Sequence, residues 1–209
     1  MNAASHPLDP RRLLASPWAY RTAQALIRGA ASYRILAEEY LKARSGERVL
    51  DIGCGPADLL AHLPDVDYVG FDASPRYIEW ARKRHGERGR FLCRTLDEAE
   101  LMELGAGSFD LAIAYGLVHH LDDAEARSFF ELARSALRPT GRLVTIDGCY
   151  LPEQSGFVRM LLQRDRGQHV RRPEAYRELA AAAFASVTAD LRGDLLRMPY
   201  SLIVMECRE

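Results

Sequence analysis

The chain has 209 residues, 48% of them hydrophobic and 27% charged, with a formal net charge of −1. That length suits one domain with a buried core and is short for two. The near-neutral balance lacks the basic excess of a dedicated nucleic-acid binder, so none is expected as a partner. Cys54, Cys93, Cys149 and Cys207 are scattered without a CxxC pair, which reads as reduced thiols rather than a disulfide framework. The N-terminal MNAASHPLDPRRLLASPWAY has no apolar run of signal-peptide length. No segment approaches the roughly 20 apolar residues that span a bilayer. The expected protein is soluble and cytoplasmic, a monomer or homodimer.

Residues 17–43 read as two helices broken near Gly29. Beyond them strands and helices alternate. RVLDIG (48–53) is a strand and ADLLAHL (57–63) a helix. DYVGFD (67–72) is a second strand, and SPRYIEWARKRHG (74–86) is a helix with Ser74 as cap, Pro75 at its first position and Gly86 at its end. RFLCRTL (90–96), FDLAIAYG (109–116) and GRLVTIDGCY (141–150) are three more strands, with a helix over 123–139 between the last two. Strands alternating with helices at this spacing give a parallel sheet with helices on both faces. FASVTADLR (184–192) and YSLIVMECR (200–208) are strands too closely joined for a crossover helix, so they pair antiparallel. The expected architecture is an α/β Rossmann-like three-layer sandwich, a seven-stranded mostly parallel sheet of order 3-2-1-4-5-7-6 with strand 7 antiparallel. Within one domain, 1–44 form an N-terminal helical cap, 45–150 the core, 151–172 a lid insertion and 173–209 the last helix and strand pair.

VLDIGCGPADLL (49–60) joins a strand to a helix through a glycine-rich turn. Gly53 and Gly55 let backbone approach a ligand, and ligands of open α/β sheets bind outside the carboxyl ends of the strands. A dinucleotide turn requires GxGxxG, but the third position here is Asp58, which repels a pyrophosphate. Asp51 suits a cationic ligand group instead.

DIGCGPAD resembles the first motif of class I S-adenosylmethionine-dependent methyltransferases. That resemblance implies a loop around the methionine half of the cofactor, with Asp51, Gly53, Cys54 and Gly55 as contacts. The family's third glycine is Ala57 here, which alanine tolerates if its dihedrals are helical. YVGFDAS (68–74) resembles the second motif. Asp72, 17 residues after Gly55, suits a bidentate grip on the ribose hydroxyls, with Phe71 and Ala73 beside it. After the third strand the resemblance puts Thr95 and Leu96 at the adenine, with Asp97 as an alternative acid.

SFDLAIAYGLVHHLDD (108–123) resembles the fourth motif, placing Ala114 and Tyr115 beside the methionine moiety. His119, His120 and Asp147 are the candidate general bases, set against packing and support roles. Sequence-adjacent ligands do not converge on one ion without distortion, so no metal is expected. In the insertion and beyond, Arg159, Arg164, Arg166, Arg171, Arg172 and Arg177 stand against Asp165, Glu174 and Glu178. Arg164 and Arg166 suit an anionic substrate group, and a solvated helix face competes with that reading. Tyr20, Tyr33, Tyr150 and Tyr176 are candidates for lining the cavity. The implied activity is transfer of a methyl group from S-adenosylmethionine, leaving S-adenosylhomocysteine, to an O, N or C atom of a small molecule. The alternatives are an RNA or protein methyltransferase, a catalytically silent partner subunit, or another reaction on the same cofactor.

Overall fold

The computed structural model describes residues 30–164, 169–196 and 200–209. The parallel strands form where β-branched and aromatic residues run between turn residues: β1 (Arg48–Ile52), β2 (Asp67–Phe71), β3 (Gly89–Leu92), β4 (Phe109–Tyr115) and β5 (Leu137–Gly148). The chain then closes with β6 (Ser186–Arg192) and β7 (Leu202–Arg208). They make one seven-stranded sheet of order β3-β2-β1-β4-β5-β7-β6. β7 runs antiparallel to both β5 and β6, and the remaining pairings are parallel. The expected architecture is therefore the observed one.

Alternation along the strands builds two cores. On one face Leu50, Ile52, Val69, Ala112, Leu143 and Met205 pack beneath α3 (Glu98–Leu104), α4 (Asp123–Ala136) and α6 (Pro173–Ala181). On the other, Val49, Tyr68, Leu111, Val144 and Val204 pack beneath α1 (Ala30–Ile35), a π-helical turn (Leu36–Leu41), the 3₁₀ turn Asp58–His62 and α2 (Pro75–His85). No helix among the described residues is long and apolar enough to cross a membrane.

Local chemistry sets the helix ends. Ser74 accepts from Tyr77 N with Pro75 at the first helical position of α2. Asp122 accepts from Ala124 N and Glu125 N while Glu125 accepts from Asp122 N, a full capping box for α4. Several boundaries differ from those read in the sequence. β3 ends at Leu92, not residue 96, because Asp97 caps the unforeseen α3 through Glu100 N. β5 begins at Leu137, where Phe109 pairs with Leu137 ahead of an irregularity in the β4–β5 register. The segment after the first glycine turn is a 3₁₀ turn rather than an α-helix.

The insertion carries α5 (Gly156–Arg164). The N-terminal helical turn is tied to the sheet by Arg142 of β5, whose guanidinium is buried and donates to the carbonyls of Leu41 and Lys42. Those carbonyls end the π-helical turn and have no partner within it. Replacing Arg142 by Met is expected to lower stability by about 2 kcal/mol, since hydrogen bonds from a charged donor are lost and the buried Leu41 carbonyl is left unpaired. Urea unfolding checks this, with a lower midpoint and an unchanged slope as the expected result.

Candidate functional site

The site lies at the carboxyl ends of β1, β2, β4 and β5. Leaving β1, the chain turns through Gly53 (φ 76°), Gly55 (φ 54°) and Ala57 (φ 55°). Ala57 is thus left-handed, not helical as its tolerance at a glycine position required. An L-residue there costs about 1–2 kcal/mol. The turn is stitched to β2: Gly53 N and Cys54 N both donate to Phe71 O at 2.8 Å. Gly55 N donates to Asp72 Oδ2 at 2.9 Å, and Ser74 N to Asp72 Oδ1 at 2.8 Å. Space beside the Gly55 α-carbon is open.

Asp51 is 2% exposed. Its Oδ2 accepts from the Tyr68 hydroxyl at 2.6 Å, while Oδ1 is buried without a partner. Burial pushes this carboxyl up to about 7, against the pull of the Tyr68 hydrogen bond and with Asp72 adding repulsion. A buried acceptor aimed at no donor, beside a turn with exposed backbone, fits a ligand carrying a cationic hydrogen-bond donor.

Phe71 turns its ring into the core and contributes its carbonyl to the turn; Ala73 is exposed beside Asp72. Because β3 ends early, Thr95 sits three residues past the strand, exposed, with Leu96 partly buried. Asp97 is engaged as a helix cap. The side chain that faces this end of β2 is Cys93, whose Sγ lies 4.0 Å from Ala73 O. Sequence reasoning missed it because the strand was drawn too long.

The β4 end comes to the glycine turn directly. A Cβ on Gly53 would stand 3.2 Å from Leu117 Cδ1. Ala114 is buried and Tyr115 half-buried, and the Tyr115 ring meets Tyr33 edge-on at 6.0 Å. Tyr33 also stacks on His62 and donates to Asp58 Oδ2 at 3.3 Å, so the N-terminal helix leans on the first turn. Asp58 is paired with Arg84.

His119 and Asp147 are brought together. Asp147 Oδ1 accepts from the His119 backbone N–H at 3.1 Å and stands 2.8 Å from Nδ1, and both residues are buried. A carboxylate only accepts, so Nδ1 carries the proton and Nε2 is the basic nitrogen of the neutral ring. Asp147 Oδ2 is buried without a partner. His120 is exposed, its ring 4.2 Å from that of His119.

The carboxyl-terminal end of the insertion braces this loop. His169 N donates to His119 O at 2.9 Å. Arg171 donates to Val118 O and Leu121 O and pairs with Asp123. Tyr176, placed by sequence in the cavity, is instead fully buried in the core and donates to Gly148 O at 2.9 Å. Tyr150 is half-buried, with its N–H on Arg171 O. Tyr20, Arg166 and the side chain of Arg164 lie outside the described residues. Among the described residues no three metal-binding side chains gather.

A seven-stranded sheet of this order, with a glycine turn after β1 and an acid after β2, defines a Rossmann-like methyltransferase domain. Residues 49–141 match the family model described as "Methyltransferase domain". Over those residues, somewhat under half of the chain, it is similar to the class I S-adenosylmethionine-dependent methyltransferases, a likeness that indicates S-adenosylmethionine as cofactor. It is 37% identical over 120 residues to an uncharacterized 37.1 kDa protein in transposon TN4556 of Streptomyces fradiae, covering 55% of this chain and 34% of that protein. It is 34% identical over 122 residues to 27-O-demethylrifamycin SV methyltransferase of Amycolatopsis mediterranei (strain S699), covering 56% and 44%. The chain thus spans less than half the length of these curated relatives. A solved mitomycin 7-O-methyltransferase shares the fold with a TM-score of 0.67 at 19% identity, covering 97% of this chain and 59% of that one.

The four thiols are free and differ sharply. Burial raises Cys54 far above the ordinary thiol range and pushes Cys149 and Cys207 to about 12, whereas Cys93 is exposed. Native protein treated with iodoacetamide at pH 8 is expected to gain one adduct, on Cys93, with the other three reacting only after unfolding. Peptide mass mapping checks this.

Proposed function

We propose that this chain methylates a small-molecule acceptor bearing an ionisable hydroxyl, with His119 as general base. The observation that carries the proposal is the Asp147 carboxylate holding both the backbone N–H and the Nδ1 of His119 at the turn that packs on Gly53. Bound S-adenosylmethionine supplies a methyl group on a positively charged sulfur, already activated for displacement. The chain has three remaining tasks: to hold that ligand, to align an acceptor and to receive a proton.

For the first task, Asp51 receives the ammonium group through Oδ1. Asp72 receives the ribose hydroxyls on lone pairs that Gly55 N–H and Ser74 N–H leave open. The backbone of Gly53, Cys54 and Gly55 wraps the methionine end, beside Ala114 and Tyr115. Phe71, Ala73, Thr95 and Leu96 frame the adenine, joined by Cys93.

Alignment alone supplies roughly 7–11 kcal/mol in favourable reactions, so positioning is the larger part of the catalysis. An acceptor hydroxyl of high pKa must also lose its proton. Asp147 fixes the tautomer that leaves Nε2 basic, and the proton moves there as the oxygen gains the methyl group. Asp147 steadies the imidazolium through the Nδ1 contact. Tyr33 and Tyr150 would line the acceptor's side of the site. His120, exposed beside His119, serves the rim. The arginines of the insertion favour an anionic acceptor. Four free cysteines fit a reducing, cytoplasmic setting.

Calorimetry with S-adenosylmethionine and S-adenosylhomocysteine tests the cofactor assignment. Micromolar binding is expected, lost in Asp72→Ala. With an acceptor found by screening hydroxylated small molecules against labelled cofactor, His119→Ala is expected to lower kcat by about 10²–10⁴ while cofactor affinity holds. A folded chain that binds neither ligand would overturn the enzyme reading in favour of a silent partner subunit. Transfer only to RNA or protein would overturn the acceptor class.

A further inference from the structure

Asp51 is an acid in a dry place. It faces Tyr68 and Asp72 from β2, and Cys54 from the turn; Asp58 lies beyond, near Tyr68. Its register partner on β4, Ile113, has no charge. None of these groups is a cation, Asp58 being itself paired with Arg84, so among the described residues the carboxylate depends on one hydrogen-bond donor, the Tyr68 hydroxyl at 2.6 Å. The sheet is shaped to admit that ring. Tyr68 pairs in register with Gly89, and Asp51 with Gly70. A Cβ on Gly89 would lie 2.8 Å from Tyr68 Cδ1; one on Gly70 would lie 3.0 Å from Cε1 and 2.8 Å from Cys54 Sγ. Both glycines thus lack a side chain where the ring passes. The ring is 1% exposed and packs on Phe91 at 5.8 Å.

We propose that Tyr68 is the positioning residue for Asp51: its hydroxyl occupies Oδ2, favours the ionised form of the carboxyl, and so presents Oδ1 to the ammonium end of S-adenosylmethionine and sets the acid limit of cofactor binding. This rests on the assignment of Asp51 to that ammonium group. Burial and the adjacent carboxylate raise the Tyr68 hydroxyl well above its ordinary value, so it remains a donor across the working pH range. The Asp51 carboxyl, held near 7 without ligand, must lose its proton for the cation to bind. Affinity therefore rises with pH through that value. At the alkaline end it falls as the ligand's own amino group deprotonates.

The test is the pH profile of S-adenosylhomocysteine affinity, measured by calorimetry on wild type, Tyr68→Phe and Asp51→Asn. In Tyr68→Phe the acid limb is expected to move up by about one pH unit, which lowers affinity at pH 7 roughly fivefold, while the alkaline limb stays in place. Asp51→Asn is expected to abolish the acid limb and weaken binding at every pH. Infrared titration of the ligand-free protein gives a readout independent of binding. The protonated-carboxyl band that Asp51→Asn removes is expected to persist to higher pH in Tyr68→Phe. If Tyr68→Phe unfolds, replacement of tyrosine by 3-fluorotyrosine, a stronger donor, is expected to move the limb downward instead. An unmoved acid limb in the folded Phe or fluorinated protein, with Asp51→Asn behaving as expected, overturns the role of Tyr68 alone. A merely lowered Tm with a parallel profile does the same. An Asp51→Asn protein with wild-type affinity and profile overturns the assignment of Asp51 itself.

Discussion

Two carboxylates share the carboxyl ends of β1 and β2, and the rest of the site is arranged around the cost of keeping them there. Asp51 is buried and Asp72 repels it. Charged groups taken from water require partners, and like charges compound the penalty. The chain answers with fixed dipoles. Backbone N–H groups of Gly55 and Ser74 hold Asp72, and one phenol holds Asp51. These offset only part of the penalty, and one buried oxygen of Asp51 remains unpaired. A cationic ligand would complete the balance, and positive charge is what the proposed methionine end of the cofactor carries. Backbone N–H groups alone would have suited an anion; the pair of acids reverses that preference.

The other half of the site solves the opposite problem, that of holding a neutral imidazole in one orientation. Asp147 stands on β5 and His119 on the turn after β4, so their alignment depends on the β4–β5 register, which runs from Leu111–Arg142 to Tyr115–Ile146. The antiparallel β7 then pairs with β5 along Leu143–Gly148 and fixes the strand that carries that carboxylate. Arg171 and Tyr176 lock the next layer. One fastens the carbonyls around His119 while pairing with Asp123, and the other fastens Gly148 at the end of β5. The carboxyl-terminal root of the insertion is thereby tied to the same residues that fix the base.

Much of this was legible because it is local. The glycine turn, the spacing to Asp72, Ser74–Pro75 at the start of α2 and the short link that forces β6 and β7 antiparallel are each written within a few residues. The features that escaped the sequence depend on register across the sheet. Nothing near Tyr68 announces that its hydroxyl reaches a strand away to Asp51, because the signal is divided among Gly70, Gly89 and Cys54. The end of β3 was misplaced because RFLCRTL continues a strand-like run that only the cap at Asp97 interrupts. Nothing in composition marks Arg171 as an inward-facing arginine. Its place is set by the carbonyls of Val118 and Leu121, which lie in a turn far back along the chain. Ala57 in a left-handed conformation shows a motif imposing its backbone on a residue that resists it.

The family match ends at residue 141, and the boundary carries physical meaning. It contains both acids of the cofactor half, the glycine turn and His119, and it stops before Asp147, Arg171 and Tyr176. The residues proposed for the cofactor thus lie in one continuous stretch, where each contact falls at or shortly after the carboxyl end of a strand. The proposed base is assembled from both sides of the boundary, one residue within the match and its carboxylate partner beyond it. A chain that kept residues 49–141 and changed only those after them would still hold the cofactor's charges. It would present the methyl group to a different neighbour, with or without a base. On that reading the acceptor is decided by β5, the insertion and α6, and the chemistry of this protein is best sought in those residues.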